Sequence, residues 1–182
     1  MNYKLVLRIT GVALLLEAAA LVIPLGVALL YRESITPFLW TILLLAAAGL
    51  ALLCCFRSSK GSLQARDGFL TVGLIWALFG AFGALPFRLS GQFGSYADCL
   101  FEAVSGFTTT GATMLTAVEG LPYGLLFWRS FTHWLGGMGV LVLTAALLPM
   151  LGVSSNSLIR AESPGPVKSK LVPRASQSSK IL

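Results

Sequence analysis

The sequence predicts an all-α membrane protein in which two peripheral transmembrane helices precede one helix–pore loop–helix unit. Three observations predict it: a shortage of charge, apolar runs of bilayer length, and a threonine- and glycine-rich stretch set between two of those runs. Of 182 residues, 56% are hydrophobic and 11% charged, at a mean hydropathy of +0.84. Soluble domains average about 25% charged residues. So few charges cannot cover a water-facing surface of this size, and lipid is the solvent for much of it. The net charge of +6 does not indicate nucleic acid, because the basic residues flank apolar runs, where membrane proteins carry them.

A bilayer core takes about 20 apolar residues per helix, and four runs qualify. They are Leu5 to Tyr31 with Pro24 inside, Phe38 to Phe56, Gly68 to Phe87, and Tyr123 to Gly152 with Pro149 near its end. The first is too long for the core of a signal peptide and carries Glu17 in its middle, so it reads as a membrane helix. Four spans place Lys4, Arg8, Arg57, Lys60, Arg66, Arg160, Lys168, Lys170, Arg174 and Lys180 on one side. Arg32, Arg88 and Arg129 fall on the other. That bias predicts cytoplasmic N- and C-termini. The expected organisation is an N-terminal helix pair (1–57), a cytoplasmic loop (58–66), the pore unit (67–152) and a Ser-, Pro- and Lys-rich cytoplasmic linker (153–182).

Residues 89–121 do not span. A half-helix over 96–106 covers about half a bilayer at 1.5 Å per residue. Ser95 is its candidate N-cap, and Asp98 and Glu102 share a face one turn apart. The loop 107–113 follows, Phe107-Thr108-Thr109-Thr110-Gly111-Ala112-Thr113. Irregular backbone at membrane depth is tolerated only inside protein or along a wet cavity. A half-helix followed by an extended polar loop suits a cation pore, in which backbone carbonyls replace the ion's water and the helix's negative C-terminal end faces the ion. Gly111 supplies backbone angles that other residues avoid. On residues alone, an outer loop in which Thr and Gly merely make turns is the alternative reading.

The stretch Phe101-Glu102-Ala103-Val104-Ser105-Gly106 followed by Phe107 to Thr113 resembles the first pore loop of the TrkH-type potassium transporters, of the Trk/Ktr/HKT superfamily. Phe127-Trp128-Arg129, Trp134-Leu135-Gly136-Gly137-Met138-Gly139-Val140, Leu148-Pro149-Met150-Leu151-Gly152, and Arg160 to Pro166 resemble the same proteins. The resemblance implies a multi-pass protein of the bacterial plasma (inner) membrane, potassium as the transported ion, and no cofactor bound by this chain. It implies four such repeats around one pore, with Gly111 as this repeat's filter glycine. Carbonyls of Thr109, Thr110, Gly111 and Ala112 would coordinate potassium, bordered by Thr108 and Thr113. The partners it implies are the lipid bilayer, the remaining pore repeats, and a cytoplasmic regulatory ring with nucleotide-binding RCK domains. This sequence carries one repeat, so the alternatives are a truncated, non-conducting or assembly-only fragment, or a sodium-permeating relative.

Other residues carry weaker signals. Glu17 reads as a neutral or partnered structural carboxyl. Arg129 either neutralises Glu102 or Glu119 or snorkels to the interface, and His133 reads as packing or interfacial. Gly136, Gly137 and Gly139 either kink the last helix or admit the pore loop, whereas Gly73, Gly80 and Gly83 read as packing positions. Cys54, Cys55 and Cys99 have no metal-ligand spacing, and no catalytic constellation is present, so an enzyme is not expected.

Overall fold

The computed structural model describes residues 2–57 and 65–147. Its elements are all helices: α1 (Tyr3–Ala20), α2 (Val22–Leu30), α3 (Thr36–Cys55), α4 (Ala65–Gly83), α5 (Leu85–Leu89), α6 (Tyr96–Phe107) and α7 (Tyr123–Leu147). Among the described residues, Tyr3–Leu30, Thr36–Cys55 and Arg66–Leu89 are long and apolar enough to cross a membrane. Helix α7 has 25 residues, a length of about 37 Å. The predicted continuation to Gly152, the linker 153–182 and most of the 58–66 loop lie outside the described residues.

Two expected single helices are each interrupted, for one reason. Proline has no N–H to donate, and its ring crowds the carbonyl four residues earlier. Pro24 ends α1 at Ala20, and Leu21 makes the joint with φ −68° and ψ −14°. Pro86 ends α4 at Gly83, with Ala84 as the joint before α5. The chain stays αR through both joints, so each run bends without turning back.

Helices α1 and α3 cross where Gly11 meets Gly49. A methyl at Gly11 would come within 3.0 Å of the Gly49 carbonyl, and one at Gly49 within 2.9 Å of the Gly11 carbonyl. Small residues let two backbones approach this closely in lipid, where packing rather than water exclusion drives association. The pair is also joined to the pore unit. Helix α1 packs on α4, and α2 packs on α7. Between α2 and α3, Glu33 reaches the start of α7, where its carboxylate accepts the N–H groups of Tyr123 (2.7 Å) and Gly124 (2.9 Å). Those are donors with no partner inside the helix, and an anion suits a helix N-terminus. The rings of Tyr31 and Tyr123 stack beside this cap, 4.2 Å between centroids.

Of the two readings for Glu17, neutral or partnered, a partner is not found among the described residues. It is 2% exposed, and neither carboxyl oxygen has a hydrogen-bond partner among the described residues. Oε1 lies 3.3 Å from where a Gly83 methyl would sit, against the α4–α5 joint. An unsatisfied buried polar group costs about 1–3 kcal/mol. Glu17→Met, close in length and apolar, is therefore expected to stabilise the fold by about that amount. Thermal unfolding in detergent checks it, and an unchanged or lower midpoint would contradict it.

Candidate functional site

Helix α6 starts at a reciprocal cap. Ser95 is extended, its hydroxyl accepts the Asp98 N–H (3.2 Å), and the Asp98 carboxylate accepts the Ser95 N–H (3.0 Å). This is the predicted N-cap, strengthened by an acid at the third helical position. The helix then runs between α4 and α7 with Cys99, Ala103, Gly106 and Phe107 buried.

Glycines admit it on both sides. A methyl at Gly80 would meet Val104 at 2.9 Å, and one at Gly83 would meet the Phe107 ring at 2.7 Å. On α7, a methyl at Gly136 would collide with the Phe107 backbone, while Gly106 itself lies against Thr132. Of the two expectations for the α7 glycines, close approach of the pore loop is the one Gly136 shows, within an unbroken helix. Trp128, fully buried, donates its indole N–H to the Gly83 carbonyl (3.0 Å) and stands edge-on to Phe107. The C-terminal end of α6 is thus fixed from both neighbours.

That end closes in a Schellman motif. Thr108 is the C-cap, the Thr109 N–H donates to the Gly106 carbonyl (2.9 Å), and the Thr110 N–H donates to the Ser105 carbonyl (3.0 Å). The motif requires left-handed backbone at the residue after the cap, normally a glycine. Here that residue is Thr109, at φ +58°. A β-branched residue at positive φ is an outlier, and such strain persists where the surroundings over-determine it. Gly111 is left-handed as well, at φ +77°. The predicted half-helix thus extends one residue further, through Phe107, and the loop begins at Thr108.

These N–H directions fix the carbonyls. A trans peptide points its C=O opposite to the following N–H, and every peptide bond described is trans. Because Thr109 and Thr110 direct their N–H groups back at α6, the carbonyls of Thr108 and Thr109 face away from it. The Gly111 N–H also points at the Ser105 carbonyl, at a longer 3.5 Å, which turns the Thr110 carbonyl the same way. The Ala112 carbonyl accepts the Ser105 hydroxyl at 2.6 Å and so faces α6. Residues 108–114 are exposed.

Beyond Ala112 the chain is tied to Glu102. Its carboxylate accepts the Thr113 hydroxyl (2.9 Å) and the Met114 N–H (3.3 Å), and its other oxygen pairs with the Arg129 Nε–H. The Glu102 side chain is 1% exposed and that of Arg129 18%. Of the expected alternatives for Arg129, the structure selects Glu102, while Glu119 is exposed. Sequence reasoning did not reach Glu33, the Ser105 hydroxyl or the strained Thr109. Only Ser105 left a trace, as a polar residue on the helix face that also carries Asp98 and Glu102, seven positions before its acceptor.

A short helix held between two longer ones, with its C-terminal end meeting an exposed loop of outward carbonyls, is a helix–pore loop–helix membrane unit, the class of element that lines cation pores. Residues 34–182 match the family model of the TrkH cation transport proteins, and the chain belongs to that family. It is 42% identical over its full length to the Trk system potassium uptake protein TrkH of Escherichia coli K12, of which it covers 38%. To the protein TrkG of the same organism, also a Trk system potassium uptake protein, it is 36% identical, again over 38% of that relative. The crystal structure of the potassium transporter TrkH from Vibrio parahaemolyticus superposes at a TM-score of 0.82 with 36% identity, over all of this chain and 36% of that one. The chain therefore spans little more than a third of these relatives. Each is named as an uptake protein or transporter, which fits a protein that is not an enzyme.

Proposed function

We propose that this chain supplies one wall of a potassium-uptake pore in a bacterial inner membrane, with N- and C-termini cytoplasmic. The observation that carries the reading is the loop after α6, whose N–H groups turn back onto the helix and leave successive carbonyls facing away from it. Thr109, Thr110, Gly111 and Ala112 form the potassium-coordinating stretch, flanked by Thr108 and Thr113. Ala112 belongs to this stretch by position, and its carbonyl, which accepts the Ser105 hydroxyl and faces α6, holds the loop's far end. The C-terminal end of α6 adds its partial negative charge. The cargo is potassium and the chain itself holds no cofactor. Three further repeats complete the ring, and an RCK-type nucleotide-binding subunit docks on the cytoplasmic face.

One wall cannot strip an ion of its water, so conduction is proposed for the assembled pore and not for a single copy of these 182 residues. Proteoliposomes decide between the readings. The assembled transporter containing this chain is expected to take up rubidium tracer, with potassium competing far better than sodium. Equal competition by sodium would make the pore that of a sodium-permeating relative. Uptake by the purified 182-residue protein would mean that copies of it close a pore, and no uptake would leave it the assembly-only role.

A further inference from the structure

A hydroxyl inside a helix commonly bonds back to a carbonyl one turn earlier on its own helix. Thr10, Thr41, Thr71 and Thr132 do so here, to the carbonyls of Val6, Pro37, Asp67 and Arg129. Ser105 does not. Its hydroxyl leaves α6 and donates forward to the Ala112 carbonyl, seven residues on, at 2.6 Å. Ser105 itself is buried.

The same residue holds the loop at two further points. Its carbonyl accepts the Thr110 N–H at 3.0 Å and the Gly111 N–H at 3.5 Å. Residues 110, 111 and 112 therefore all bond to one residue of α6, and they do so in opposite senses. At Thr110 and Gly111 the N–H faces the helix, which sends the carbonyls of Thr109 and Thr110 outward. At Ala112 the carbonyl itself faces the helix. The reversal falls between these bonds, at Gly111, whose left-handed backbone at φ +77° is open to glycine without strain.

We propose that Ser105 is a selectivity-determining positioning residue: its hydroxyl pins the Ala112 carbonyl to α6 and so fixes where the outward, coordinating carbonyls stop. The inference rests on the potassium-pore reading above. Carbonyls that can rearrange around either ion discriminate poorly between potassium and the smaller sodium. Glycine is the most permissive backbone, so the pin sits directly after the residue at which the loop yields most easily. Ser105 acts through the loop and touches no ion.

The test is the potassium-to-sodium permeability ratio of the assembled transporter in liposomes, a property of each open pore that does not depend on how many copies fold. Ser105→Ala removes the hydroxyl and keeps the backbone carbonyl that holds Thr110 and Gly111. It is expected to lower the ratio by about tenfold, equivalent to about 1.4 kcal/mol. Ser105→Cys, close to serine in size but a weak donor, is expected to fall with it, and decides the matter should the alanine variant fail to accumulate. Ser105→Thr keeps the hydroxyl and recovers most of the ratio. A wild-type ratio in the alanine or cysteine variant overturns the proposal, as does a threonine variant no better than alanine. Gly111→Val, measured in parallel, separates the two levels. If it shifts the ratio and the Ser105 variants do not, the role of Ser105 falls alone. If neither shifts it, the filter reading falls and the proposal with it.

Discussion

Arg129→Met is expected to abolish potassium uptake and to destabilise the pore unit by about 3–5 kcal/mol, the usual cost of stranding one member of a buried ion pair. The Glu102 side chain is 1% exposed and has its carboxylate against the ascending part of the loop, at Thr113 and Met114. Without the guanidinium, that charge has no neutralising neighbour on α6, which carries no basic residue. The carboxyl must then find water or a proton, and both routes disturb the bonds that fix residues 112–114. Combining Glu102→Gln with Arg129→Met removes the stranded charge while keeping an oxygen for Thr113. The double variant should regain much of the stability lost in the single one. Thermal unfolding and rubidium uptake of the three proteins check this, and a double variant no more stable than Arg129→Met would contradict it.

Gly111→Val is expected to abolish selectivity for potassium over sodium. Space is not the obstacle, because the nearest atom to an added methyl lies 3.8 Å away. The backbone is the obstacle. At φ +77° an ordinary L residue costs about 1–2 kcal/mol, and a β-branched one is a genuine outlier there. The cheapest escape is for residue 111 to leave the left-handed region, which rotates the peptides on both sides and swings the Thr110 and Gly111 carbonyls off their present directions. Gly111→Ala should show the same defect in weaker form, since it meets the same φ. Bi-ionic permeability measurements read both, and unchanged ratios would refute the filter assignment.

What the sequence made legible follows from which forces are local. Apolar runs and the half-helix between them could be read because bilayer length and hydropathy fix them residue by residue. Ser95 could be read because an N-cap acts within three residues. Gly111 could be read because glycine announces unusual backbone. Thr109 could not, since its left-handed backbone is imposed by closure of the α6 end, at a position where a glycine would have been the signal. The two joints were half legible: Pro24 and Pro86 stand in the sequence, yet apolar length masked the breaks they cause. Glu33 and Glu17 were illegible in their roles. One meets its donors 90 residues away, and the other meets no hydrogen-bond partner among the described residues, a condition only three-dimensional surroundings define.

The Glu33 cap has a mechanical consequence. Helix α7 is clamped at its first turn by two bonds from outside the pore unit and by the Tyr31–Tyr123 stack. The place at which this helix begins is therefore set by the hairpin that precedes the repeat, so the N-terminal pair serves as an anchor for the pore unit as well as a lipid-facing flank.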